Sequence, residues 1–216
     1  MKATEMEVEL TFVEVALGTV ALDPLAYEKY IAAEHPDRLE EELGTLRALG
    51  QAEEAGDADG IERLEKPNVS GFRRLPDGTP IILDYMIKGM FKEFARALAR
   101  VPGSRSSKIR AHQKEITGLI FAEPRQIRLE LPEGGRITML ERPLRARTPQ
   151  GERVAIAVSE TVPAGTKVRF RLKVLKDDLI PAIEEWLDYG ELAGFMQWRS
   201  SGCGRFTWRL VTDGAE

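Results

Sequence analysis

Cysteine and histidine are scarce in this chain of 216 residues, and their scarcity excludes whole classes of site. The single cysteine, Cys203, leaves no partner for an internal disulfide and no set of thiolates for a zinc site. The two histidines, His35 and His112, are too few for a histidine metal cluster. We therefore expect neither a bound metal ion nor a cofactor.

Long apolar runs are also missing from the sequence. No stretch approaches the roughly 20 apolar residues that cross a bilayer, and no apolar signal-peptide core follows Met1. We expect a cytoplasmic protein that does not enter a membrane. Hydrophobic residues make up 43% of the chain and charged residues 31%, which is the composition of an ordinary globular protein.

Catalytic motifs are absent or weak. The sequence has no Gly-x-x-x-x-Gly-Lys-Ser/Thr loop for nucleotide triphosphates, and no Gly-x-Ser-x-Gly. His112 lies in a polar, basic loop over 101–115, and His35 precedes Pro36 at a helix break. Histidine accepts protons near neutral pH, so each is a weak candidate for the base in RNA cleavage. Histidines in such positions more commonly contact a phosphate or have a structural role than act in catalysis. An enzyme is therefore not the leading hypothesis.

Charge is distributed unevenly along the chain. The formal net charge is −4, yet residues 1–65 contain 17 acidic against 5 basic residues. Residues 66–153 contain 9 acidic against 18 basic residues. Because a local basic face attracts polyanions even on an acidic protein, residues 66–153 are a candidate nucleic-acid-binding region. The alternative is that both regions carry ordinary solvated charge.

The hydrophobic pattern changes between strand and helix periods. Apolar residues alternate with glutamates from Met6 to Phe12, as in a strand with one solvated face. The predicted elements are a strand over 5–21, an acidic helical segment over 24–65, a hairpin over 71–83, a helix over 84–100, a loop over 101–115, strands at 118–121, 127–131, 136–140, 154–158 and 167–175, a helix over 179–192 and a strand over 205–211. This order predicts an α+β fold, namely a ferredoxin-like βαββαβ sheet with an acidic helical insertion and an additional β-hairpin.

Glycine, arginine and aromatic residues are concentrated between Gly194 and Phe206. Glycine permits tight turns and close backbone approach, arginine provides a planar set of donors for phosphate, and an aromatic ring provides a stacking face for a base. The composition favours a loop that holds a phosphate backbone. The alternative is a surface turn with solvated arginines.

Three stretches of the sequence resemble the RAMP superfamily, the RNA-binding proteins that build CRISPR effector complexes. The first is residues 76–92, where Lys88-Gly89 matches the turn that opens the family's first helix. The second is residues 159–166, which resemble the Glu-x-Val-Pro-x-Gly-Thr segment of the backbone subunits. The third is the glycine-rich loop, which is similar to the family's Gly-x(n)-Arg-x-x-Gly-x-Gly-Arg pattern. Uncharacterised RAMP-type proteins of phages and prophages are similar too.

The resemblance implies a single domain over 1–216 with a fold like that of RNA-recognition (RRM-like) domains. It implies that a nucleic-acid backbone is held between the glycine-rich loop and the first helix. A hairpin over 123–143 would resemble the thumb that such proteins insert beside a guide strand. Residues 24–65 have no recognised counterpart in the family.

The leading hypothesis is a non-catalytic protein that binds single-stranded RNA within a CRISPR-type or phage ribonucleoprotein, or as a homo-oligomer along the strand. Single-stranded DNA is an alternative ligand. The candidate nucleic-acid-binding residues are Lys88, Gly89, Lys92, Arg96, Arg105, Lys108, Arg125, Arg128, Arg136, Arg142, Trp198, Arg199, Gly202, Gly204, Arg205 and Phe206.

Two further hypotheses belong to other classes of function. One is a metal-independent endoribonuclease of RAMP type, which would use His112 or His35 with Tyr30 or Lys108. The other is a phage factor that binds a host protein through the acidic segment over 24–65.

Overall fold

The computed structural model describes residues 3–21, 68–148 and 151–211. The chain divides into two compact units. The larger unit comprises Met1–Gly18, Phe72–Thr138 and Thr161–Glu216, and the smaller comprises Thr19–Gly71 and Met139–Glu160. The predicted acidic insertion over 24–65, with His35 and Tyr30, lies outside the described residues.

The described residues combine helices with many short strands. The strands are β1 (Thr4–Phe12), β2 (Ala16–Leu17), β3 (Val20–Ala21), β4 (Asn68–Gly71), β5 (Arg73–Arg74), β6 (Pro80–Leu83), β7 (Ile120–Glu123), β8 (Gln126–Glu130), β9 (Thr138–Thr148), β10 (Gly151–Val162), β11 (Lys167–Val174) and β12 (Phe206–Leu210). The α-helices are α1 (Asp84–Leu98), α2 (His112–Leu119) and α3 (Ile180–Ala193). Single 3₁₀ turns occupy Ser106–Lys108, Asp177–Leu179 and Arg199–Ser201. The predicted mixture of helices and strands is confirmed.

The larger unit is built on a seven-stranded sheet with the order β12-β1-β11-β8-β6-β5, and β7 also pairs with β11. Its pairings are antiparallel. The register places Val8 opposite Phe170 and Leu10 opposite Trp208. The end of β10, at Thr161 and Val162, pairs with β2. In the smaller unit, β10 pairs in parallel with β4, β4 pairs with β3, and β9 pairs with β10.

The core of the larger unit lies between one face of the sheet and the helices. In β1 the even-numbered residues Met6, Val8, Leu10 and Phe12 are buried, as the alternating pattern predicts. The apolar positions of α1 recur every three or four residues and pack beside α3, with the rings of Phe91 and Trp186 5.6 Å apart. The core therefore fixes one face of α1 and leaves its basic residues on the outer side.

Two local predictions need correction. The segment 101–115, predicted as a loop, contains the 3₁₀ turn and the start of α2. The eight residues of α2 bury Ile116 alone, so the apolar period is too short to be read from the sequence. The predicted hairpin over 123–143 is also not formed as a paired hairpin, because β8 pairs with β6 and β11 whereas β9 pairs with β10. The tight turn between them does form, with the Gly135 N–H donating to the Pro132 carbonyl at 2.8 Å.

Candidate nucleic-acid interface

The glycine-rich loop is a crossing of two backbone segments. The Phe195 N–H donates to the Gly204 carbonyl at 2.8 Å. A Cβ at Gly204 would lie 1.8 Å from the Phe195 carbonyl oxygen, and a Cβ at Gly194 would lie 2.8 Å from the Cys203 carbonyl oxygen. Both glycines also have positive φ, at 75° for Gly194 and 73° for Gly204. The fold itself therefore requires glycine at these two positions, independently of any ligand.

The outer part of the loop turns back through the 3₁₀ turn Arg199–Ser201. Left-handed backbone bounds this turn, at Trp198 before it and at Gly202 after it. The side chain of Trp198 is 37% exposed and that of Arg205 is exposed. The Arg205 carbonyl accepts from the Val13 N–H at 2.9 Å, which fastens the loop to the chain after β1. The loop therefore presents one aromatic ring and one cation on a fixed backbone.

Arg199, the first arginine of the loop, is held by a carboxylate of its own chain. Its guanidinium forms a hydrogen-bonded ion pair with Glu93 on α1, and its side chain is 28% exposed. A phosphate at Arg199 would have to compete with Glu93. The Arg199–Glu93 ion pair joins the loop to the first helix, between which the resemblance implies a bound nucleic-acid backbone.

Two candidate side chains, those of Phe206 and Arg142, are buried and so are not available to a ligand at the surface. Phe206 is fully buried in the core, beside Gly190, where a Cβ would lie 2.4 Å from its ring. The alternation of β12 places this ring on the inner side of the sheet, so the prediction that it stacks on a base is wrong. Arg142 is only 7% exposed, within the smaller unit, and is not a surface cation of a thumb.

The outer face of the sheet in the larger unit is covered by ion pairs. The register of β1 and β11 places Glu9 opposite Arg169, and β12 places Arg209 on the other side of Glu9. Both guanidinium groups hydrogen-bond to this carboxylate, which is 2% exposed. The hydrogen bond from Arg209 and then that from Arg169 lower the pKa of Glu9 against the opposing effect of burial. The carboxylate also lies 3.8 Å from Lys167.

Other cations of the larger unit are paired in the same way. Lys173 lies 2.8 Å from Glu123, whose hydrogen bond raises the pKa of the lysine. Arg128, a predicted RNA-binding residue, lies 3.2 Å from Asp77, the acidic residue of the Pro-Asp-Gly turn. Each of these cations can reach a phosphate only by leaving a carboxylate.

One stretch of the chain has cations and no carboxylates. Between Glu93 and Glu115 there is no acidic residue, and six basic residues are present there: Arg96, Arg100, Arg105, Lys108, Arg110 and Lys114. All six side chains are exposed, and none forms an ion pair with a described residue. Arg96, Lys108 and Lys114 lie on α1, on the 3₁₀ turn Ser106–Lys108 and on α2, and the other three lie in the segments that connect these elements. The helices α1 and α2 pack together. We call these six residues the cationic ledge.

The cationic ledge overlaps only partly with the residues predicted from sequence. Arg96, Arg105 and Lys108 were candidates, whereas Arg100, Arg110 and Lys114 were not. The signal that would have found them is the absence of acidic residues over 94–114, which is readable from the sequence. A run of basic residues without acidic neighbours in the sequence raises the local positive potential, which a count of basic residues over a longer segment does not report.

The remaining candidates lie on exposed or half-exposed positions outside the ledge. The Lys88 ammonium lies 4.5 Å from the centre of the Phe121 ring and 3.5 Å from the Thr117 carbonyl oxygen. Gly89 has open space where a Cβ would be, so the packing of the chain does not require a glycine there. Lys92 is half-buried, and Arg125 and Arg136 are exposed.

No catalytic cluster is visible around His112. It is the first residue of α2, is half-buried, and its imidazole forms no hydrogen bond with a described residue. Over residues 3–21, 68–148 and 151–211 there is no group of three or more histidine, cysteine or carboxylate side chains that could hold a metal ion. In the same part of the chain no helix has the length and apolar character needed to cross a membrane.

Comparisons with known proteins give a match in fold and none in sequence. No protein-family model and no curated protein matches the chain. A chain from the cryo-EM structure of the type III-B Cmr-beta bound to cognate target RNA is similar, with a TM-score of 0.52 and 14% identity. The match covers 98% of this chain but 60% of that one, so this chain spans less than two thirds of its neighbour's length. A chain from the type IV-B CRISPR complex gives a TM-score of 0.49 and 12% identity, over 99% of this chain and 92% of that chain.

Proposed function

We propose that this protein binds the sugar–phosphate backbone of single-stranded RNA through the cationic ledge, as a subunit of a CRISPR-type ribonucleoprotein. The observation that carries the proposal is the set of six exposed cations over 94–114 with no carboxylate among them. A run of this kind keeps a positive potential that the paired outer face of the sheet lacks. Its cations would exchange bound anions for RNA phosphates without breaking ion pairs to described residues.

The fold supports this proposal. The order β12-β1-β11-β8, with α1 between β1 and β8 in the chain and α3 between β11 and β12, fits a ferredoxin-like, RRM-like arrangement. The chain with a TM-score of 0.52 comes from an assembly bound to target RNA, and its fold extends over 98% of this protein. We take RNA and neighbouring subunits from that likeness as the ligand and partners.

Binding through the ledge would depend strongly on salt. Each phosphate contact with single-stranded nucleic acid contributes about −0.7 to the slope of log K against log salt. A base stacked on the exposed Trp198 ring would add about 1–3 kcal/mol with little sequence preference. The expected ligand is therefore a single strand of any sequence, bound tightly at low salt.

The test compares two triple variants that each remove three positive charges. Arg100→Gln, Arg105→Gln and Lys108→Gln change the ledge, whereas Arg171→Gln, Lys173→Gln and Lys176→Gln change cations that already have carboxylate partners. Fluorescence anisotropy with a labelled single-stranded oligouridine measures Kd over a salt series. We expect the ledge variant to bind at least about tenfold more weakly, with a slope shallower by about 2, and the control variant to change little.

Equal losses in the two triple variants would show that net charge alone governs binding, and would overturn the ledge as the site. Equal affinity for single-stranded DNA of the same length would overturn the preference for RNA. The proposal would then be reduced to binding of a single-stranded phosphate backbone. Absence of binding by the wild-type protein at low salt would overturn the function as a whole.

A further inference from the structure

The loop that presents the middle of the cationic ledge is fastened to α3 by one carboxylate. Oε1 of Glu185 accepts a hydrogen bond from the Arg105 N–H at 2.8 Å. Oε2 accepts from the Ser106 N–H at 3.2 Å and from its hydroxyl at 3.4 Å. The same hydroxyl accepts from the indole N–H of buried Trp186 at 2.7 Å. Two successive backbone amides and one side chain are therefore fixed by two adjacent residues of α3.

Ser104 gives the loop a second set of restraints. Its hydroxyl donates to the Leu98 carbonyl at the end of α1 at 2.7 Å and accepts from the Ser107 N–H at 3.0 Å. The Ser107 hydroxyl donates back to the Ser104 carbonyl at 2.6 Å. Arg105, immediately before the 3₁₀ turn, and Lys108, its last residue, consequently extend from a backbone that hydrogen bonds hold on both sides.

We propose that Glu185 is a positioning residue for RNA binding: its carboxylate fixes the turn that carries Arg105 and Lys108, and so raises RNA affinity although its own charge is negative. The inference rests on the proposed function. It makes a prediction opposite in sign to simple electrostatics, because a carboxylate near bound phosphates repels them and its removal should strengthen binding. A fixed turn instead lowers the ordering cost of each phosphate contact.

The test uses a matched pair of neighbouring residues on α3. Glu185→Gln and Glu184→Gln change net charge by the same amount, but the Glu184 carboxylate makes no hydrogen bond with a described residue. With labelled oligouridine we expect Glu184→Gln to bind as tightly as the wild type or slightly more tightly. We expect Glu185→Gln to bind about fivefold more weakly, with a salt slope shallower by about 1.4, as for two lost phosphate contacts.

A second variant and a double-variant background separate positioning from loss of folding. Ser106→Ala leaves the net charge unchanged, removes the hydroxyl that links Trp186 to Glu185, and should also weaken binding. In a protein that already carries Arg105→Gln and Lys108→Gln, Glu185→Gln should have no further effect on Kd. Stoichiometric titration gives the active fraction of each variant, so that partial unfolding is not counted as weaker binding.

Failure of this inference differs from failure of the proposed function. If the wild type binds and its affinity depends on the ledge, but Glu185→Gln binds as tightly as Glu184→Gln, then the positioning role is wrong and the ledge stands. If the wild type does not bind oligouridine at low salt, both proposals fall. Weaker binding by Glu185→Gln and Ser106→Ala that disappears in the Arg105→Gln, Lys108→Gln background supports both.

Discussion

Arg199 and Arg105 are both arginines of surface loops, but they differ in whether a carboxylate is paired with the guanidinium group. The guanidinium of Arg199 is paired with Glu93, whereas that of Arg105 has no carboxylate partner among the described residues and only its backbone N–H contacts Glu185. A surface ion pair is worth little in water, but it still has to be broken before a phosphate can bind. The two arginines therefore differ in whether the guanidinium group is available to bind a phosphate, although the residue type is the same.

The Arg199–Glu93 pair gives a direct test of whether RNA reaches the glycine-rich loop. If it does, Glu93→Gln should raise RNA affinity about threefold and steepen the salt slope by about 0.7, because one more arginine becomes available for a phosphate. Anisotropy titration checks this, with Glu184→Gln as the control for lost negative charge. If Glu93→Gln and Glu184→Gln have the same RNA affinity and salt slope, Arg199 stabilises the loop and does not bind RNA.

Glu9 gives a test of stability against pH. Hydrogen bonds from Arg209 and Arg169 hold the pKa of Glu9 below its ordinary value of 4.5 in the folded protein. The ionised form is therefore favoured by folding, so its contribution is present above the ordinary value and is lost as pH falls through the folded-state value. Glu9→Gln should lower the free energy of unfolding by about 2 kcal/mol near neutral pH, and this difference should shrink in acid.

Urea unfolding of the wild type and Glu9→Gln from about pH 7 to about pH 3 measures this difference. Glu5→Gln is the control, because Glu5 is exposed and lies 3.7 Å from exposed Arg171, so its loss should cost less than about 1 kcal/mol. A stability difference for Glu9→Gln that stayed constant into acid would contradict the prediction.

At the scale of elements, the glycine-rich loop illustrates that glycines close together in sequence serve different needs. Gly202 has open space where a Cβ would lie, and only its positive φ, 86°, favours glycine. Gly204 has positive φ and also lies against the Phe195 carbonyl. Backbone conformation alone favours glycine at position 202, whereas the crossing of two chain segments also excludes a side chain at position 204.

This difference predicts unequal effects of two alanine substitutions. Gly202→Ala should cost about 1–2 kcal/mol, the penalty for left-handed backbone in a residue with a Cβ. Gly204→Ala should cost more than about 4 kcal/mol, because the loop has to open to accommodate the methyl group. Chemical denaturation of both variants measures the two losses in the free energy of unfolding. Equal losses would contradict the prediction, because they would show that the two backbone segments can separate at little cost in stability.

Local sequence patterns predicted the elements that bury a regular stripe of apolar residues. The alternation at Met6, Val8 and Leu10 identifies β1, and the helical spacing of Phe91 and Phe94 identifies α1. The pattern did not predict α2, because this helix buries only Ile116. It also did not predict the pairing partners of β8 and β9, because these depend on register with strands far away in the chain. The basic character of 101–115 was visible locally, but the Arg199–Glu93 pair joins residues 106 positions apart and has no local signal.

At the scale of the whole molecule, average charge and local charge give opposite expectations. A net charge of −4 suggests weak attraction to polyanions. The described ion pairs neutralise much of the outer face of the larger unit's sheet, and the cationic ledge is left with six positive side chains within 21 residues. Under the proposed function, the order of the charges along the chain, and not their sum, would attract RNA to a protein of negative net charge.

Cys203 makes the backbone crossing of the glycine-rich loop measurable. It is the only cysteine of the chain, is 7% exposed, and lies between the two positive-φ residues Gly202 and Gly204. A thiol reagent can reach such a side chain only when the crossing opens, so the rate of its modification counts local opening events without any introduced probe. RNA held on the ledge alone would leave that rate unchanged, whereas a strand lying across the loop would slow it.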